Sequence, residues 1–198
     1  MGGRRWPIGV VLAGGNGRRI GGSKATVALN GRPLITYPLR AMCAVLGEVA
    51  VIAKPDTELP PLYPGVVIWI EQWAEHHPLT RLIEALKLAD GRPVLVCAVD
   101  LPFVSPELIG VLAQADPGKA PAVVASRRGA LQPLLGCYQP AAAALLDRPG
   151  FAQAPVRDAV ASIGPRYHEV GDETQLFNVN GPADLLTAAG MLDRLIRR

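Results

Sequence analysis

The chain has 198 residues, of which 49% are hydrophobic and 19% charged, the size of one ordinary domain with enough apolar material for a real core. Twenty Lys and Arg against 17 Asp and Glu leave a net charge of +3, too small to argue for nucleic-acid binding. Cys43, Cys97 and Cys137 are odd in number and far apart, without a C-x-x-C pair, so neither a disulfide framework nor a zinc site is indicated and a reducing cytosol fits best.

The first element, "IGVVLA" (8–13), reads as a buried strand that breaks into "GGNGRRIGGSK" (14–24), with five glycines, two arginines and a lysine. Arg4-Arg5 ahead of the apolar run resembles the start of an export signal. The run ends at Gly14 without an A-x-A site and Arg18-Arg19 follow at once, so a cytoplasmic protein is expected. No apolar stretch approaches the ~20 residues of a membrane helix.

A helix is predicted near 33–46, followed by strands "VAVIA" (49–53) and "VVIWI" (66–70). The proline-rich "KPDTELPPLYPG" (54–65) between them reads as a surface loop. The next helix, near 78–89, opens on Pro78 and carries Leu79, Leu82, Ile83 and Leu86 on one stripe. Strand "PVLVCAV" (93–99) comes next, then a helix at Ser105-Pro106-Glu107, where serine caps, proline fits the first turn and glutamate faces the positive dipole end.

After the turn Asp116-Pro117-Gly118 come "PAVVAS" (121–126), "LQPLLGCY" (131–138), an alanine-rich helix (141–147), a helix near 155–163 and a last helix from Pro182 toward Ile196. Arg127-Arg128 before Gly129 reads as a solvated turn. The alternation of strands and helices predicts an α/β fold: one doubly wound, mostly parallel sheet with helices on both faces. Residues 1–198 are expected to form one domain with two halves, over about 1–115 and about 116–198.

Three phosphate-binding patterns compete for the glycine stretch. A Walker A loop needs Gly-Lys followed by Ser or Thr, and neither Gly22-Ser23-Lys24 nor Gly118-Lys119-Ala120 fits. A dinucleotide fingerprint is closer, through Gly15, Gly17 and Gly21, but its spacing is off by one and the next strand ends in Lys54-Pro55 where an acid should bind ribose. The third pattern is a loop of backbone N–H groups wrapped around a nucleoside triphosphate, with Arg18, Arg19 and Lys24 neutralising the phosphates.

The segments "LAGGNGRRIGGSK" (12–24), "LNGRPLI" (29–35), "HPLTRLIEAL" (77–86), "VCAVDLPFVSPEL" (96–108), "LQPLLGCY" (131–138) and "NVNGPADL" (178–185) together resemble the nucleotidyltransferases, and among them the molybdenum cofactor guanylyltransferases. The resemblance implies a Rossmann-like nucleotidyltransferase fold and transfer of GMP from Mg-GTP to the phosphate of molybdopterin, with release of pyrophosphate. It implies that Leu12, Ala13, Gly14, Gly15, Arg18, Lys24, Glu71 and Asp100 bind the nucleotide, with Lys24, Arg19 and Asp100 catalytic. Mg²⁺ would be held by Asp100 and Asn180, which suits a cation that takes oxygen ligands and keeps substrate phosphates. Gln132 and Arg157 would face the acceptor. GTP and a molybdopterin-type acceptor are the implied partners, together with proteins that deliver or receive the cofactor, and neither nucleic acid nor membrane is among them.

The chain departs from the family where Gly-Pro-Leu-Ala-Gly is common, reading His77-Pro78-Leu79-Thr80-Arg81, and Glu71 matches an expected aspartate with one residue fewer before "HPL". Adjacent His76 and His77 suit capping or solvation better than metal binding. Another base or acceptor (CTP, a sugar phosphate) remains an alternative, as does a family member that binds GTP and cofactor without turnover.

Overall fold

The computed structural model describes residues 5–14, 23–72 and 77–196. The predicted strands form as β1 (Ile8–Leu12), β4 (Val49–Ala53), β5 (Val67–Ile70), β6 (Val94–Ala98), β7 (Ala122–Arg127) and β8 (Ala130–Tyr138). The helices are α1 (Thr36–Cys43), α2 (Pro78–Leu88), α3 (Pro106–Gln114), α4 (Ala141–Leu146), α5 (Val156–Ser162) and α6 (Pro182–Ile196). Three further strands are additions to the sequence expectation: the short hairpin β2 (Ala28–Leu29) and β3 (Arg32–Pro33), and the edge strand β9 (Arg166–Glu169).

Seven strands make one sheet in the order β5-β4-β1-β6-β8-β7-β9. Neighbours from β5 through β6 are parallel, β8 runs antiparallel to both β6 and β7, and β7 with β9 is parallel again. The mostly parallel sheet expected from the sequence is thus present, with one reversed strand inside it. Residues alternate across β1: Ile8, Val10 and Leu12 join the core under α2, α4 and α5, while Val11 and Ala13 join the core under α1 and α3. Fully buried runs such as these are what a sheet covered on both faces requires. A third, smaller cluster places Leu29, Leu34, Phe103, Val179 and Ala188 together, so that the β2–β3 hairpin and α6 pack beside the end of β6.

The missed elements have identifiable causes. β9 reads Arg-Tyr-His-Glu, a polar edge strand with only weak apolar alternation. The β2–β3 hairpin turns on Asn30 and Gly31, at φ 47° and 74°, the two positive-φ positions of a type I′ turn. A second such turn, Arg128 and Gly129 at φ 49° and 77°, joins β7 to β8. The expected turn is present with Arg128 and Gly129 exposed, while Arg127 at its start donates to the Val170 carbonyl at 3.0 Å and the Arg128 N–H to Glu169 Oε1 at 2.7 Å. Those bonds tie β9 to the hairpin, and the backbone N–H of Arg128 holds the Glu169 carboxyl below the usual carboxylate range.

The start of α3 forms as its sequence predicts: Ser105 Oγ accepts the Leu108 N–H at 3.2 Å. Replacing Ser105 with alanine is expected to cost about 1 kcal/mol, the usual value of such a cap, read as a lower urea midpoint at unchanged slope. An unchanged midpoint would contradict the capping role.

Candidate active site

Parallel strands of an open α/β sheet present their carboxyl ends to ligands. β1, β4, β5 and β6 all end on one edge, and Asp100 lies two residues past β6, at that edge. The chain is held there by bonds from Val99 N–H to the Leu12 carbonyl and from Leu101 N–H to the Ala98 carbonyl, each 3.4 Å.

Two distant segments converge on Asp100. The Val179 N–H donates to the Asp100 carbonyl at 2.9 Å, with the Val179 side chain fully buried, so Asn180 is delivered beside the carboxylate. Asp184, in the first turn of α6, accepts the N–H groups of Asn180 and Gly181 at 2.9 and 3.0 Å and fixes that approach. From the other side comes Lys24, in a turn closed by bonds from the Thr26 N–H and hydroxyl to the Ser23 carbonyl, both 3.1 Å. Its Nζ donates to Asp100 Oδ2 at 2.8 Å and to Asn180 Oδ1 at 3.0 Å. Residues 76 and 156 positions apart in sequence from Lys24 thus meet at one ammonium.

The pair Lys24–Asp100 is sheltered, with side chains 15% and 16% exposed. Asp100 Oδ1 is buried with no hydrogen-bond partner among the described residues. Two oxygen donors already converging on a cation, plus an orphaned carboxylate oxygen, suit a hard divalent ion such as Mg²⁺, which takes few protein ligands and completes its shell from phosphate and water. Among the described residues no cluster of three or more His, Cys, Asp or Glu offers a fuller metal cage. Cys97, three residues before Asp100, is no rival nucleophile: burial, and then the Asp100 charge, push its thiol far up.

β1 ends at Leu12, and beyond it the structure describes Ala13, buried like Leu12, and Gly14. Gly15, Arg18 and Arg19 lie outside the described residues, as does His76. Glu71 follows β5 directly, its N–H bonded to the Ala53 carbonyl at 2.8 Å. Its carboxylate faces Arg81: Nε donates to Oε2 at 3.1 Å, with side chains 4% and 0% exposed for Arg81 and Glu71. The same guanidinium donates through an Nη to the Gly14 carbonyl, and a Cβ on Gly14 would land on it. His77 is the N-cap of α2, its Nδ1 accepting the Leu79 N–H at 3.4 Å.

Glu84 is a participant that sequence reading missed. It is buried on α2 and its Oε1 accepts the Gln72 N–H at 2.7 Å, pinning the chain after β5. The available signal was its spacing: Arg81 and Glu84 sit three apart among Leu79, Leu82, Ile83 and Leu86, as charges amid an apolar stripe. On the other half, Gln132 lies on β8, which pairs with β6 over Val94 to Cys97. Arg157 is exposed on α5, a helix that packs against the opposite face from α1 and α3.

Residues 9–164 match the family model of the MobA-like NTP transferase domain. The chain is 34% identical over 192 residues to a molybdenum cofactor guanylyltransferase of Cereibacter sphaeroides, covering 93% of this chain and 96% of the relative. It is also 34% identical over 188 residues to the protein of that name in Acidiphilium cryptum, covering 89% and 90%. Among solved structures, molybdopterin-guanine dinucleotide biosynthesis protein A from Archaeoglobus fulgidus superposes with a TM-score of 0.75 at 24% identity, covering 94% of this chain and 99% of that one. A nucleotidyl transferase from Methanothermobacter has the same fold, with a TM-score of 0.78 at 18% identity over 96% and 99% of the chains.

Proposed function

The chain belongs to the MobA-like NTP transferase family, and from that premise we propose that it transfers GMP from Mg-GTP to the phosphate of a molybdopterin-type cofactor in the cytoplasm. It is a nucleotidyltransferase. The observation that carries the finer reading is the convergence of Lys24, Asp100 and Asn180 at the carboxyl edge of the sheet.

In the proposed reaction, an oxygen of the acceptor phosphate attacks the α-phosphorus of GTP in line. The new P–O bond forms as the bond to the β-phosphate bridging oxygen breaks, and that electron pair leaves with pyrophosphate. No covalent enzyme intermediate is needed, so catalysis is mainly positioning and charge neutralisation. Lys24 turns its ammonium from the two oxygens it bridges to the triphosphate, as a point charge on phosphate. Asp100 and Asn180 would hold Mg²⁺, which when bound screens the triphosphate and polarises its oxygens. Arg18 and Arg19 add positive charge from the glycine stretch. Gln132 on β8 and Arg157 on α5 are proposed on the acceptor side, which assigns the nucleotide to about residues 1–115 and the acceptor to about 116–198. Proteins that supply or take up the cofactor are the expected partners; among the described residues no helix is long and apolar enough to cross a membrane.

Pyrophosphate release that requires Mg-GTP and a molybdopterin acceptor together tests this reading. Saturable GTP binding without release would mark a binding module, and release with CTP or a sugar phosphate acceptor alone would overturn the guanylyl assignment. Lys24→Ala is expected to weaken GTP binding at least about tenfold while leaving guanosine binding unchanged, because the lost contact is to phosphate. Equal losses for the two ligands in calorimetry would refute that role.

A further inference from the structure

A cation of the chain itself already stands on the two side chains proposed to hold the metal. Lys24 Nζ lies 2.8 Å from Asp100 Oδ2 and 3.0 Å from Asn180 Oδ1, so one ammonium engages both oxygens at once. The segments that carry those oxygens are anchored: the Asp100 carbonyl receives the Val179 N–H at 2.9 Å, and Asp184 holds the N–H groups of Asn180 and Gly181. Lysine, on its flexible four-carbon stem, is the longest and most adaptable of the three side chains.

A divalent ion of the Mg²⁺ type needs the same oxygens, because it takes few protein ligands and can spare none of them. The orphaned Asp100 Oδ1 does not relieve the competition. An ion held there would gain a single protein oxygen and share one carboxylate with an ammonium, in a site sheltered enough that like charges are poorly screened. A nucleoside triphosphate reverses the balance: its phosphate oxygens offer the ammonium a partner of higher charge and bring the metal further ligands. We propose that Lys24 is a built-in competitor of the metal, so that the protein alone excludes divalent cations and takes them up together with a nucleoside triphosphate, whose phosphates draw the ammonium off Asp100 and Asn180. The proposal rests on the nucleotidyl-transfer reading above and deepens it by making nucleotide binding the condition for metal binding.

Mn²⁺ is the probe, since it takes the same oxygen ligands and its free form is counted directly by electron paramagnetic resonance. With full-length protein and no nucleotide, the wild type is expected to bind Mn²⁺ with a Kd above about 1 mM, and Lys24→Met at least about tenfold more tightly. Adding Asp100→Ala to Lys24→Met is expected to abolish that gain, which places the recovered ion at the competed carboxylate. Calorimetry supplies the check on the underlying reading: saturating Mn²⁺ is expected to tighten GTP binding by the wild type at least about tenfold. If it does, while nucleotide-free Lys24→Met binds Mn²⁺ no better than the wild type or keeps its gain without Asp100, the competitor role is overturned and the transfer reading stands. If Mn²⁺ leaves GTP affinity unchanged, the metal assignment of Asp100 and Asn180 falls and the proposal falls with it. Submillimolar Mn²⁺ binding by the nucleotide-free wild type overturns the proposal without recourse to any variant.

Discussion

Replacing Asp100 with alanine is expected to lower Mg-GTP turnover on the order of a thousandfold, the rate equivalent of about 4 kcal/mol in the barrier. The carboxylate is the point on which both Lys24 and the Asn180 segment converge. Its removal takes away the strand-anchored acidic oxygens proposed for the metal and leaves the Lys24 ammonium with Asn180 alone. The fold should survive, since Asp100 is only partly buried and its backbone carbonyl still receives the Val179 N–H. Steady-state pyrophosphate release gives the rate, and Mg²⁺ titration by calorimetry in the presence of GTP separates lost metal affinity from lost chemistry. Turnover within about tenfold of wild type would remove Asp100 from the catalytic centre.

Arg81→Met is expected to lower the free energy of unfolding by about 3–5 kcal/mol, the usual consequence of stranding one member of a buried ion pair. Glu71 has no exposed side-chain surface, and among the described residues its Oε1 has no hydrogen-bond partner, so removing Arg81 would strip the donor from Oε2 as well. The Gly14 carbonyl would lose its donor in the same step. The companion variant Glu71→Leu with Arg81→Met should recover most of the loss, because a well-packed apolar pair is often as stable as the buried ion pair it replaces. Urea unfolding of the two variants checks both statements. A single-variant loss under about 1 kcal/mol, or a double variant no more stable than the single, would show that the pair is not sealed from water.

The two predictions separate the kinds of information that sequence and structure carry. Period and composition alone determined the buried strands "VAVIA" and "VLVCA", the stripe of α2 and the Ser105 cap, because each depends on residues within a few positions of one another. They also placed Asp100 at a strand's carboxyl end, where a ligand is expected. The polar strand β9 and the reversal of β8 were illegible, because an edge strand needs no apolar pattern and strand direction is set by the partners it meets.

Motif matching proposed Lys24, Asp100 and Asn180 as separate contributors, but nothing local says that one ammonium can reach both oxygens. That follows from the Val179 bond to Asp100 and the packing of α6 beside the β2–β3 hairpin. Glu71 and Arg81 make the point most sharply. In sequence they are an approximate match and a departure, ten positions apart. In the folded chain they are one buried pair, because β5 and the start of α2 bring their side chains together away from water, and an unpaired charge there would be far costlier than a paired one. Pairing across the interior is a property of three-dimensional packing, and only the tertiary structure could decide it.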